Sequence, residues 1–128
     1  MTGNKCILDT SVIIHSFKSK NEIAGKLDSM DEIYVPVTAI GELYYGAYKS
    51  SDPSKHFERI QLFLLNCKIL LTDTTTAVIY GKIKAALTKK GKPIPENDLW
   101  IGAAALQYSL PLYTTDQHFE EIDDIKLL

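Results

Sequence analysis

The sequence predicts an α/β fold, a mainly parallel sheet of about five strands flanked by helices. Two observations carry that prediction. Short apolar runs that read as strands alternate with longer stretches of helical spacing from one end of the chain to the other. The first of them, Cys6-Ile7-Leu8, is a buried strand that meets Asp9 and turns at once into a helix. No internal repeat, low-complexity tract or long linker divides the 128 residues, so residues 1–128 are expected to form one domain.

The elements follow in order. After the opening strand, Thr10 or Ser11 begins a helix through Val12-Ile13-Ile14. Ile23, Ala24 and Leu27 have helical spacing, with Met30 beyond. Glu32-Ile33-Tyr34-Val35 is β-rich and stops at Pro36. Thr38 is expected to cap a helix through Tyr48. Pro53 opens another, with Phe57, Ile60, Phe63, Leu64 and Cys67 in one stripe. Residues 68–71 read as a third strand. The spacing then predicts a long helix over 74–90, burying Ala77, Ile79, Tyr80, Ile83, Ala86 and Leu87, which Gly91 stops. Pro93 and Pro95 force an extended link into a helix over 98–108 that is apolar nearly all round and therefore buried. Residues 111–114 make a fourth strand ending at Thr115-Asp116. A helical turn takes in Phe119, and 125–128 supply the last strand.

Composition sets the outer limits. Apolar residues make up 45% and charged residues 23%, a globular balance that excludes disordered and fibrous classes. No apolar run approaches the roughly 20 residues of a membrane span. Met1-Thr2-Gly3-Asn4-Lys5 lacks the apolar segment of a secretory signal, so a cytoplasmic protein is expected. Cys6 and Cys67 lie in apolar surroundings without metal-ligand spacing and read as free buried thiols. His15, His56 and His118 are scattered, and read as surface or packing residues rather than ligands. The net charge of −2 makes the whole molecule no polyanion binder. Its distribution is uneven: Lys82, Lys84, Lys89, Lys90 and Lys92 occur without an acid among them, and Asp116, Glu120, Glu121, Asp123 and Asp124 follow.

Four acids sit where a core does not want them. Asp9 either caps its helix or stands at the carboxyl end of a strand, where open α/β sheets form their binding crevice. Glu42 interrupts an apolar helix between Gly41 and Gly46; it is exposed, paired or bound to a cation, and the two glycines hint at a close approach. Asp98 lies in the first turn of the most apolar helix, where the dipole favours an anion; with Asn97 as the cap, its carboxylate is free to face a site. Asp116 repeats the setting of Asp9. Two such carboxylates about 4 Å apart repel by roughly 4 kcal/mol at an effective dielectric near 20. Either the acids are apart, or a hard divalent cation gathers them. Oxygen ligands of this kind suit Mg²⁺ or Mn²⁺ rather than Zn²⁺, and such clusters serve phosphodiester hydrolysis.

Four blocks also carry a resemblance: Leu8-Asp9-Thr10-Ser11-Val12-Ile13-Ile14, Gly41-Glu42-Leu43-Tyr44-Tyr45-Gly46, Asn97-Asp98-Leu99-Trp100-Ile101-Gly102-Ala103-Ala104 and Thr114-Thr115-Asp116-Gln117-His118-Phe119. Together and in this order they resemble the PIN domain over essentially the whole chain, and within it the VapC-type toxins of toxin–antitoxin pairs. The resemblance implies a five-stranded parallel sheet and a Mg²⁺- or Mn²⁺-dependent endoribonuclease that cuts a structured RNA such as tRNA or rRNA. It implies an antitoxin partner and a homodimer. Asp9, Glu42, Asp98 and Asp116 match the family's acidic positions as catalytic metal ligands, with Asp116 alternatively orienting the attacking water. Thr10, Ser11 and Thr114 match hydroxyls that hold the cluster, and Asn97 is a neighbouring partner for the carboxylates. Thr115 and Ser11 stand where many members have Asn. A fifth acid has no clear match, Glu120 being the weak candidate.

Within that reading, Lys82, Lys89, Lys90 and Lys92 either hold the RNA backbone beside the acidic pocket or simply solvate a helix end. Tyr44, Tyr45 and Tyr48 stack on bases or pack against protein. Three alternatives compete. A receiver-like metal-binding signalling domain needs an acid pair after an early strand, and Asp123-Asp124 come too late. An inactive PIN scaffold binding RNA or protein predicts the loss of one of the four acids, and none is lost. A flap-type DNA nuclease shares the metal chemistry but needs a larger chain.

Overall fold

The computed structural model describes residues 4–18 and 21–128; the amino-terminal reading at Met1–Gly3 lies outside them. The elements are β1 (Lys5–Leu8), α1 (Thr10–Phe17), α2 (Asn21–Asp28), β2 (Glu32–Pro36), α3 (Val37–Lys49), α4 (Pro53–Leu64), β3 (Lys68–Leu70), α5 (Thr74–Lys90), α6 (Glu96–Gln107) and β4 (Leu112–Tyr113). A 3₁₀ turn at Gln117–Glu121 follows. All strand pairs are parallel, in the order β3-β2-β1-β4. Among the described residues no helix is long and apolar enough to cross a membrane.

β1 is central, and Cys6, Ile7 and Leu8 are wholly buried, as a strand covered on both faces requires. The chain leaves β1 for β2 on one side and returns to β4 on the other. That reversal opens a crevice at the carboxyl ends of β1 and β4, the place where such sheets bind ligands. Ile7 and Leu8 are in register with Leu112 and Tyr113, so Asp9 comes level with Thr114.

Among the described residues the sheet has four strands rather than five. β4 keeps only two residues of the expected 111–114, and the last segment is reduced to a single parallel bridge between Leu112 and Leu127. Leu112 spends its N–H on Lys126 and its carbonyl on Leu128, which seats the carboxyl terminus without a ladder.

α6 is the buried helix its composition predicts, with Leu99, Ile101, Ala103, Ala104 and Ala105 all enclosed. α5 runs over the expected residues, from a capping box at Asp73 to Gly91 in the left-handed conformation (φ 73°). Its buried face is narrower than predicted: Thr76, Ile83 and Leu87 are enclosed, Ile79 and Tyr80 pack at the edge, and Ala77 and Ala86 are exposed. Ile23 and Leu27 of α2 are buried, whereas Ala24 is exposed. In α4 Ile60 is buried, and Phe57, Phe63 and Leu64, with Cys67 beyond, pack around the core.

Two predicted caps do not form. α3 starts two residues early, with Pro36 at the cap position, and the Thr38 hydroxyl is buried without a hydrogen-bond partner among the described residues. α6 begins at Glu96 behind Pro95, which places Asn97 inside the first turn. Cys6 and Cys67 are free, and burial pushes both thiols up to about 11.

Candidate active site

The crevice at the strand ends is an open cleft of about 470 Å³. Asp9, Glu42, Asp98 and Asp116 line it together with Thr10, Ser11, Asn97, Glu96 and His118. Four separate stretches of sequence thus deliver the predicted acids to one place. Asp9 follows β1, Glu42 projects from the second turn of α3, Asp98 lies in the first turn of α6, and Asp116 follows β4.

Asp9 occupies the cap position of α1 yet makes no capping hydrogen bond. Its Oδ2 instead accepts the hydroxyls of Ser11 at 2.8 Å and Thr114 at 2.7 Å. The simple capping reading of Asp9 therefore fails. Ser11 Oγ in turn accepts the Thr115 N–H at 3.3 Å, and Thr114 Oγ1 accepts the Asp116 N–H at 3.0 Å. Thr10 donates to Oε1 of Glu42 at 2.8 Å. Asn97 lines the cleft and is exposed.

The electrostatics are those of crowded carboxylates. Asp9 is 1% exposed, and burial raises its pKa against the two hydroxyl bonds, with Asp116 adding to the rise. Asp98 is pushed up to about 6, first by burial and then by the Asp9 charge, with a further push from Glu42. Two carboxylates that each resist ionisation in one cleft are an arrangement that a cation relieves.

His118 is the residue that sequence reasoning missed. Rather than a surface or packing residue, it lies in the cleft with Nε2 2.6 Å from Oδ2 of Asp98. Asp98, Asp116 and His118 can each offer one ligand atom, and these atoms lie within 4.8 Å of one another. A lone His outside any ligand spacing carried no signal; the one clue was its place beside Phe119, the anchor of the turn.

Other expectations move. Among the described residues nothing but the helix's own adjoining backbone lies within 4 Å of where a Cβ would sit at Gly41 or Gly46; the close approach is at Gly102, where it would meet Ile122 Cδ1 at 2.7 Å. Lys82, Lys89, Lys90 and Lys92 do not line the acidic cleft. Lys90 donates to the Glu121 carbonyl at 2.9 Å, and Lys92 pairs with the Glu121 carboxylate at 3.2 Å. Glu120 is exposed and lies off the cleft wall. Tyr44 packs beside Phe57 with ring centres 5.7 Å apart, whereas Tyr45 and Tyr48 are exposed.

With that geometry in place, likeness to other proteins becomes informative. Residues 6–125 match the PIN domain family. Ribonuclease VapC2 of Haemophilus influenzae is 35% identical over 127 residues, 92% of each chain. The tRNA(fMet)-specific endonuclease VapC of Salmonella typhimurium is 30% identical over 126 residues, 96% of each chain. Among solved structures, the DNA-bound VapBC of Salmonella typhimurium superposes with a TM-score of 0.92 at 28% identity, covering 98% of this chain and 97% of that one.

Proposed function

The chain belongs to the PIN domain family, and from that premise we propose that it is a divalent-cation-dependent endoribonuclease, a VapC-type toxin restrained by a protein antitoxin. Residues 1–128 act as one domain in this reading. The observation that carries it is the convergence of Asp9, Glu42, Asp98 and Asp116 on one cleft at the sheet's reversal point.

The donor set fits a hard cation. The hydroxyl and imidazole bonds all fall on one oxygen of each acid, Oδ2 of Asp9 and Asp98 and Oε1 of Glu42, which leaves the second oxygen of each for a ligand. Carboxylate oxygens in this number suit Mg²⁺ or Mn²⁺. Asp9, Glu42, Asp98 and Asp116 would hold the ion. Bound there, it supplies Lewis-acid stabilisation of the phosphate and raises the acidity of nearby water.

The chain's own contribution is placement. Thr114 and Ser11 fix Asp9, Thr10 fixes Glu42, and the Asp116 N–H, donating to Thr114 Oγ1, sets the fourth acid beside them. The cleft is open enough to admit a polynucleotide backbone. The name of the Salmonella relative favours a tRNA among structured RNAs, and the VapBC neighbour favours an antitoxin partner. A toxin homodimer belongs to the same reading.

The test is RNA cleavage with Mg²⁺ or Mn²⁺ by the parent freed of any co-purified partner, beside Asp9→Asn and Asp98→Asn. Loss of cleavage in both variants and on adding EDTA is expected. Variants that cut as well as the parent would sink the mechanism.

A further inference from the structure

We infer that His118 is a positioning residue for the cation site: its Nε2–H donates to Oδ2 of Asp98 and fixes that carboxylate with its other oxygen free. The inference rests on the nuclease reading above. Each of the other two tied acids is held by a hydroxyl, Asp9 by Ser11 and Thr114, Glu42 by Thr10. Asp98 has no hydroxyl. His118, at 2.6 Å, is the one side-chain donor to it among the described residues.

The imidazole is built to stay in place. It rides on the 3₁₀ turn at Gln117–Glu121, whose Phe119 is wholly buried and whose following residue Ile122 is 4% exposed. The His118 and Phe119 rings lie 5.0 Å apart. One buried side chain inside the turn and another just after it pin the backbone that carries His118. The ring remains about one-third exposed on its cleft side, so it adds little to the core and a substitution there should leave the fold intact.

Direct ligation is the competing role, since His118 lies within ligand reach of Asp116 and Asp98. The geometry favours positioning because Nε2, the nitrogen that faces the acids, is already spent on Asp98. A carboxylate held by a fixed N–H donor loses less freedom when it takes up a cation, and such supporting partners are worth roughly 10- to 100-fold in metal affinity.

The experiment is Mn²⁺ titration followed by EPR on the full chain, with circular dichroism to verify folding. It compares the parent with His118→Ala, His118→Gln and Asp98→Asn. The parent should bind Mn²⁺, His118→Ala should bind about 10- to 100-fold more weakly, and His118→Gln, which keeps an N–H donor at similar reach, should recover most of the loss. Pulsed EPR of the Mn²⁺-loaded parent should show no directly coordinated nitrogen. Parent-like affinity in His118→Ala, failure of Gln to rescue, or a nitrogen coupling that His118→Ala abolishes would each overturn the inference alone. A parent that binds no Mn²⁺ would overturn the nuclease reading as well.

Discussion

The Thr114 hydroxyl donates to Oδ2 of Asp9 at 2.7 Å, joining residues 105 positions apart. Thr114 Oγ1 in turn accepts the Asp116 N–H at 3.0 Å. One side chain thereby ties the acid after β1 to the acid after β4. Thr114→Val keeps the β-branched shape and deletes both bonds. Leaving the buried Asp9 oxygen with one donor fewer costs roughly 1–3 kcal/mol. Cleavage rate and Mn²⁺ affinity should fall together by about 10- to 100-fold, while Thr114→Ser should stay close to the parent. Parent-like cleavage by Thr114→Val would remove the hydroxyl from the account.

Asp98 makes the metal-free protein sensitive to pH. Its folded pKa is about 6 against an ordinary 3.8, so the folded chain takes up a proton that the unfolded chain does not. Stability must therefore rise as pH falls through 6 toward 4. Between pH 7 and pH 5 the gain is about 1 kcal/mol, a few degrees in Tm. Asp9 shifts in the same direction. Glu32, held down to about 2 by Lys68 and Lys5, loses its contribution only below about 4.5, outside this window. Thermal melts in EDTA should show the higher Tm at pH 5. Saturating Mn²⁺ should reverse the order, because the ion binds the ionised carboxylates of Asp98, Asp9, Glu42 and Asp116 beside His118. A Tm in EDTA that rises toward pH 7 would contradict the crowding.

What the sequence revealed was decided locally. Cys6-Ile7-Leu8 is apolar enough to be buried on both faces wherever it pairs, and Gly91 ends α5 by its own backbone freedom. Asp9, Glu42, Asp98 and Asp116 stood out because each is costly without a ligand. What stayed hidden depends on distant contacts. His118 acquires its role through the seating of Phe119 in the core. The faces of Lys90 and Lys92 are set by Glu121, about thirty residues on. Thr38 and Asn97 look like caps, but Pro36 and Pro95 already set the extended entry into each helix.

Asp73 separates stability from chemistry. Its carboxylate accepts the N–H of Thr76 at 3.1 Å and the Gln107 amide at 3.0 Å, tying the start of α5 to the end of α6. It does not line the cleft. Asp73→Ala should lower the urea midpoint with little change in slope, and leave the cleavage rate of the folded enzyme unchanged. A loss of activity at temperatures where the variant is fully folded would extend the site to this end of the sheet.

Gly102 is the place where α6 must carry no side chain. A Cβ there would lie 2.7 Å from Ile122 Cδ1, and both residues are buried. Gly102→Ala gains up to about 1 kcal/mol of helix propensity but overpacks the contact by roughly 1–3 kcal/mol. The contact yields most readily at Ile122, and Ile122 directly follows the turn that holds His118. Displacing it should weaken Mn²⁺ binding as well as lower stability. Ile122→Val removes the offending methyl at a cost of about 0.5–1.5 kcal/mol. The double variant should therefore be more stable than the two single changes predict, with a coupling on the order of 1 kcal/mol. Its Mn²⁺ affinity should return toward the parent's. Additive urea midpoints across this cycle would mean that Gly102 answers to some other contact, and that the turn carrying His118 is held independently of α6.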